Sequence, residues 1–229
     1  WGARIPEWSQ DIDMPNIATM ARKAQPGLLI VDRTVHGRFE NYQTPEQRIP
    51  ATQLDHPWES CMTLANNWGY VPNDKYKSAV KVIHTLIEVV AKGGSVLLGV
   101  GPKPDGTFTE GGITRLKEVG KWMDKNGVAI YDTRTTKNYR DGNVWFTQNL
   151  KNGLHYALVC LPGDQPIPKE VTWKLNVPKK GTKIIFVETG ESVKWQQEGN
   201  SVRIFLPSSV VNKSGTSPAL VFSFFPAEQ

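Results

Sequence analysis

The sequence predicts an α/β layer followed by an all-β unit. Three observations carry that prediction. Strand-like runs alternate with helical patterns through the first 133 residues, short strands take over from about Ala129, and turn signals then recur at the spacing of an antiparallel sandwich.

The first helix pattern begins where Asp13 is placed to cap it, with Pro15 in the first turn. It puts Ile17, Met20, Ala21 and Ala24 on one face and stops at Pro26-Gly27. LLIVDR, Leu28 to Arg33, follows without alternation, the mark of a strand covered on both sides in a parallel sheet. A long Gly-, Asn-, Gln- and Pro-rich loop runs to Pro57, and a second strand is predicted from Trp58 to Leu64. A helix is predicted from about Lys75 to Lys92, with Val80, Ile83, Leu86, Ile87 and Val90 as its stripe and Gly93-Gly94 as its stop. SVLLGVGP is the next buried strand. After the KPDG turn, Thr109 caps a helix with Ile113, Leu116, Gly120 and Met123 inward and Gly127 past its end. In the second half VWFTQ, LHYALVCL, VTWKL, KIIFVE, SVKWQ, VRIFLP and ALVFSFF read as strands. Asn152-Gly153, Gly163-Asp164, Lys180-Gly181 and Gly199-Asn200 separate them.

Three strand and helix units cannot close an eight-stranded barrel, and an open three-stranded parallel sheet leaves two bare edges. The sequence therefore predicts further barrel strands before Trp1, from the same polypeptide or a companion fragment. A cooperative melt of this chain alone as a stable monomer would contradict that.

Composition narrows the function. At 39% hydrophobic and 21% charged, the 229 residues suit a globular protein with one large or two ordinary domains. The longest apolar runs fall far short of the roughly 20 residues of a membrane-spanning helix. The formal charge is +5, but the basic residues are scattered, which argues against nucleic-acid binding. Cys61 and Cys160 lie in separate apolar runs and read as buried thiols. His36, His56, His84 and His155 have no metal-ligand spacing, so neither a metal nor a cofactor is expected. GVGPKPDGT lacks the Gly-Lys-Ser/Thr ending of a phosphate loop. Eight tryptophans suit either core packing or platforms for the apolar face of a sugar ring.

In parallel α/β layers the chemistry gathers at the C-terminal ends of strands. Arg33 ends the first strand and suits either an ion pair or a hydrogen bond to a substrate hydroxyl or catalytic carboxylate. Glu59, inside HPWESCMTLANNWGY, sits beside Trp58, Ser60 and Cys61, with Trp68 downstream. Taken alone it is a structural acceptor or half of a catalytic pair. Glu40 and Glu46 are further acids of the long loop.

Four ordered blocks then identify a resemblance. VDRTVHGRFENYQTPEQRIP, PWESCMTLANNWGY, GGSVLLGVGPKPDGTF and LKEVGKWMDKNGVAIYDTR are similar to consecutive blocks of the retaining α-L-fucosidases, glycoside hydrolase family 29. The resemblance covers residues from about 11 to 134, and the remainder resembles the family's C-terminal sandwich in position and texture. It implies part of a TIM-type (β/α) barrel over residues 1–133 and an antiparallel β-sandwich over 134–229. The implied reaction removes terminal α-L-fucose from a fucosylated oligosaccharide or glycoconjugate with retention. Such chemistry needs an ionised nucleophile and a protonated acid about 5 to 5.5 Å apart. The family's aspartate nucleophile would end immediately before Trp1. The resemblance puts the acid/base on Glu59 of the PWES block; other branches place it earlier, in a loop position nearer Glu46. Desolvation against Trp58 and the missing aspartate's charge would raise the Glu59 pKa. Arg33 matches the arginine that reaches the fucose ring, and Trp1 and Trp68 match its apolar walls. A periplasmic, secreted or lysosomal location is implied as well.

Overall fold

A computed structural model describes residues 5–6, 12–33, 35–212 and 216–227. Its first elements are β1 (Ile5–Pro6), α1 (Met14–Ala24), β2 (Val35–His36), β3 (Glu59–Thr63), α2 (Ala79–Ala91), β4 (Ser95–Gly99) and α3 (Glu110–Asn126). β1 pairs parallel with β2, and β3 pairs parallel with β4 from Glu59↔Ser95 to Thr63↔Gly99. Single parallel bridges Val31↔Tyr42, Gln43↔Trp58 and Glu46↔Cys61 extend this arc sideways.

Several sequence expectations are corrected here. LLIVDR forms no strand: its ladder contact is the single parallel bridge Val31↔Tyr42, and Ile30 spends both backbone groups on Asn41. Its carbonyl accepts from the Asn41 N–H at 2.7 Å, and its N–H donates to the Asn41 side chain at 2.9 Å, which displaces a sheet ladder. Asp13 makes no side-chain cap; its backbone is left-handed and its carbonyl accepts from Ile17 N–H. In α1 the buried residue is Ala18, while Ile17 and Met20 are exposed. β4 forms where SVLLG was expected and pairs with β3. α2 starts at Ala79 because Ser78 accepts from Lys81 N–H and ends the preceding extended stretch. The Thr109 cap of α3 forms as expected, through Gly112 N–H at 3.1 Å, but the buried face carries Trp122 and Asn126, with Ile113 outside.

A short 3-10 turn, Gly127–Ala129, leads into the β half. Its strands are β5 (Arg134–Asp141), β6 (Val144–Asn149), β7 (Leu154–Cys160), β8 (Glu170–Lys174), β9 (Ile184–Phe186), β10 (Glu191–Glu198), β11 (Ser201–Phe205) and β12 (Ala219–Phe224), with α4 (Ser208–Val211) before the last. They form one antiparallel sheet in the order β5-β6-β7-β12-β9-β10-β11-β8. The sheet curls so that Phe146, Ala157 and Phe222 from one half meet Trp173, Val202 and Ile204 from the other. Its two edges meet through side chains: Asn176 donates to the Asn138 carbonyl at 2.6 Å, and Asp141 accepts from Lys174 N–H at 2.6 Å. The result is a sandwich-like near-barrel. β5, with the polar sequence RTTKNYRD and a register shift between Thr135 and Arg140, is the strand the sequence patterns missed.

The outer face of β6, β7 and β12 is also buried. Trp145, Tyr156, Leu158 and Val221 pack there against Ile83, Ile87 and Trp122 of α2 and α3. Two-sided cover explains why LHYALVCL and ALVFSFF run apolar without alternation. Trp122 Nε1 donates to the Ala219 carbonyl at 3.1 Å across this layer.

Candidate active site

Alternation along β3 divides its side chains. Trp58, Ser60 and Met62 turn toward the helices, where Trp58 is 3% exposed and Gly94 is so close that an added Cβ would lie 2.5 Å from the indole. Glu59, Cys61 and Thr63 turn to the opposite face. Neighbouring residues on a strand point apart, so Trp58 and Glu59 lie on opposite faces. Glu59 stands at the start of β3, half-buried, with its N–H donating to the Gln43 carbonyl at 2.8 Å. Ser95 Oγ lies 3.4 Å from its Oε2.

Arg33 and Glu46 form a hydrogen-bonded ion pair. That bond pushes the Arg33 pKa above its ordinary value, opposed by partial burial and aided by the Cys61 sulfur. Glu46 sits in the extended segment beside β3, level with Cys61, so Arg33, Glu46 and Cys61 converge on one face. The structure thus brings Arg33 together with Glu46, the alternative acid, and gives Glu59 a different neighbour in Ser95.

The backbone behind the pair is fixed by residues that the sequence reading passed over. Asp32 is fully buried, and its Oδ1 accepts from both the N–H and the hydroxyl of Thr44 at 2.8 Å, tying the Arg33 segment to the Glu46 segment. An acid inside an otherwise apolar run was the available signal for it. Gln47 has φ 53° and donates through its N–H to the Cys61 carbonyl at 2.8 Å.

Trp68 is 42% exposed and lies over Gly99, at the C-terminal end of β4, where an added Cβ would meet the ring at 2.9 Å. Leu64 N–H donates to the Gly99 carbonyl at 2.9 Å and joins the two strand ends. An exposed indole at that end of a parallel pair can stack on a sugar face. Trp1 lies outside the described residues. Cys61 and Cys160 are both buried free thiols, and no helix among the described residues is long and apolar enough to cross a membrane.

The family model for α-L-fucosidase matches residues 1–128. The chain belongs to the α-L-fucosidase family. It is 30% identical over 189 residues to the plasma α-L-fucosidase of Homo sapiens, a match covering 78% of this chain and 39% of that protein. The chain therefore spans about two fifths of the length of that curated relative. Its fold matches α-L-fucosidase isoenzyme 1 from Paenibacillus thiaminolyticus at a TM-score of 0.78 and 24% identity, over 94% of this chain and 54% of that one. It also matches a family 29 α-L-fucosidase from Bacteroides thetaiotaomicron, solved as a trapped covalent intermediate with 2-fluoro-fucosyl fluoride. That match has a TM-score of 0.72 at 24% identity, over 91% of this chain and 51% of that one.

Proposed function

We propose that this chain supplies the C-terminal arc of a catalytic barrel, together with a sandwich-like accessory unit, to a retaining exo-α-L-fucosidase. The observation that carries this reading is family membership across the segment holding Arg33, Glu46, Glu59 and Trp68. The nucleophilic aspartate belongs, by resemblance, to barrel strands preceding Trp1. It attacks the fucose anomeric carbon, the bond to the leaving oxygen breaks, and the acid delivers its proton to that oxygen. The same residue, now a base, takes a proton from water, which attacks the fucosyl-enzyme and releases fucose with retained configuration. The covalent intermediate trapped in the Bacteroides relative supports this two-step course.

For the acid/base we favour Glu46, because it faces Arg33. By resemblance Arg33 reaches the fucose ring, so a carboxylate bonded to Arg33 lies within reach of the sugar. Trp68 supplies an apolar wall suited to the C6 methyl of fucose. The PWES resemblance favours Glu59 as the second reading, and its 3.4 Å contact with Ser95 leaves the carboxylate able to take another partner. In the full-length enzyme, loss of the acid/base should cut turnover of alkyl α-L-fucosides about 100- to 10,000-fold, spare aryl fucosides with good leaving groups, and permit rescue by azide. Glu46→Ala is expected to behave so and Glu59→Ala is not. The reverse pattern moves the role to Glu59. Absence of any aryl α-L-fucoside hydrolysis by the full-length protein would leave a carbohydrate-binding or structural role instead.

A further inference from the structure

We infer that Lys77 is a positioning residue for the proton donor, holding the turn after Glu46 through Thr63 and Gln47. This inference rests on the reading of Glu46 as acid/base. All three ammonium protons of Lys77 converge on the end of β3: Nζ lies 2.5 Å from the Thr63 carbonyl, 2.9 Å from Thr63 Oγ1 and 3.0 Å from the Ala65 carbonyl. Its own N–H donates to the Leu64 carbonyl at 2.9 Å. Burial lowers the Lys77 pKa, partly offset by Asp74 and reinforced by Lys81.

Thr63 Oγ1 is the junction. It accepts from Lys77 and from Gln47 Nε2 at 3.1 Å, and donates to the Ala65 carbonyl at 2.5 Å. A hydroxyl has one proton and two acceptor sites, so every position on it is used. Gln47 directly follows Glu46, and its left-handed backbone, at φ 53°, is one that a non-glycine residue keeps only where its surroundings fix it. Its side-chain bond to Thr63 and its N–H bond to the Cys61 carbonyl are those fixings. The ammonium is thus the outermost tie of a chain running Lys77, Thr63, Gln47, Glu46, Arg33. An arginine could not reproduce it, since a planar fork does not match three acceptors gathered around one point.

A displaced acid harms only the step that needs its proton, which separates positioning from mere support. In the full-length enzyme we compare kcat/KM for methyl α-L-fucoside, with a poor leaving group, and for 2,4-dinitrophenyl α-L-fucoside, with a good one. Lys77→Met is expected to lower the first about 10- to 100-fold and the second less than about 3-fold, with Thr63→Val giving the same bias more weakly. Equal losses on both substrates, or no loss on either, overturn the inference. If Lys77→Met does not fold, Thr63→Val decides alone by the same criterion. Glu46→Ala is the control. A biased Glu46→Ala with unbiased Lys77→Met defeats the tether only, whereas an unbiased Glu46→Ala defeats the acid/base reading and the tether with it.

Discussion

Replacing Trp122 tests whether the helices and the curled sheet form one cooperative body. The indole is 6% exposed, packs in the cluster shared by α2, α3 and the outer face of β6, β7 and β12, and donates to the Ala219 carbonyl. Truncating a buried tryptophan to alanine costs about 3 to 5 kcal/mol through lost burial and the cavity left behind. Trp122→Phe isolates the polar part. The Ala219 carbonyl keeps Ser217 Oγ at 3.0 Å and is not stranded, so losing the indole donor costs about 0.5 to 1.5 kcal/mol. Each kcal/mol moves the melting point by about 2 to 4 °C for a protein of roughly 150 to 250 residues and by about half that for one twice as long. In the full-length protein, calorimetry should show Trp122→Ala melting about 3 to 10 °C lower and Trp122→Phe about 0.5 to 3 °C lower. A change under about 2 °C for Trp122→Ala would refute the argument. So would helix and sheet signals that melt separately in the unsubstituted protein.

Three further outcomes follow from tight or buried sites. Gly94→Ala would set a methyl 2.5 Å from the Trp58 ring, so it should destabilise by about 1 to 3 kcal/mol, read as a lowered urea midpoint. An unchanged midpoint would mean that Trp58 moves aside freely. Cys160 has its pKa pushed up to about 12, mainly by burial, with Glu88 adding and Arg140 opposing. The unfolded thiol loses its proton first, near 9, so stability is unaffected below that pH and falls as the pH rises toward about 12. Urea midpoints at pH 8 and 10.5 should separate, and less so in Cys160→Ala. In the native protein at pH 8, Cys160 should resist disulfide-exchange reagents, and labelling without unfolding would contradict its burial.

The all-β half was largely legible in the sequence because its strands carry large apolar residues between clear turn signals. β5 escaped because Arg134–Asp141 is polar and bulged, and the neighbours that make it a strand lie in β6 and across the seam near Asn176. LLIVDR misled for the converse reason: an apolar run becomes a strand only when other strands flank it, and Asn41 takes the hydrogen bonds of Ile30. At the site, Arg33 and Trp68 could be picked out by residue type and by block. The pairing of Arg33 with Glu46, thirteen positions away, depends on how an irregular loop lies beside β3. Lys77 gave no signal at all, since a lysine near a helix start ordinarily reads as solvated.

The sheet whose middle strands are covered on both faces has a practical consequence for dissecting the molecule. A cut near residue 133 would strip α2 and α3 from Trp145, Tyr156, Leu158 and Val221. Each piece would then present a broad oily surface to water, a state prone to self-association. The β half is therefore a poor candidate for excision or for transplanting onto another enzyme unless those outward positions are first made polar.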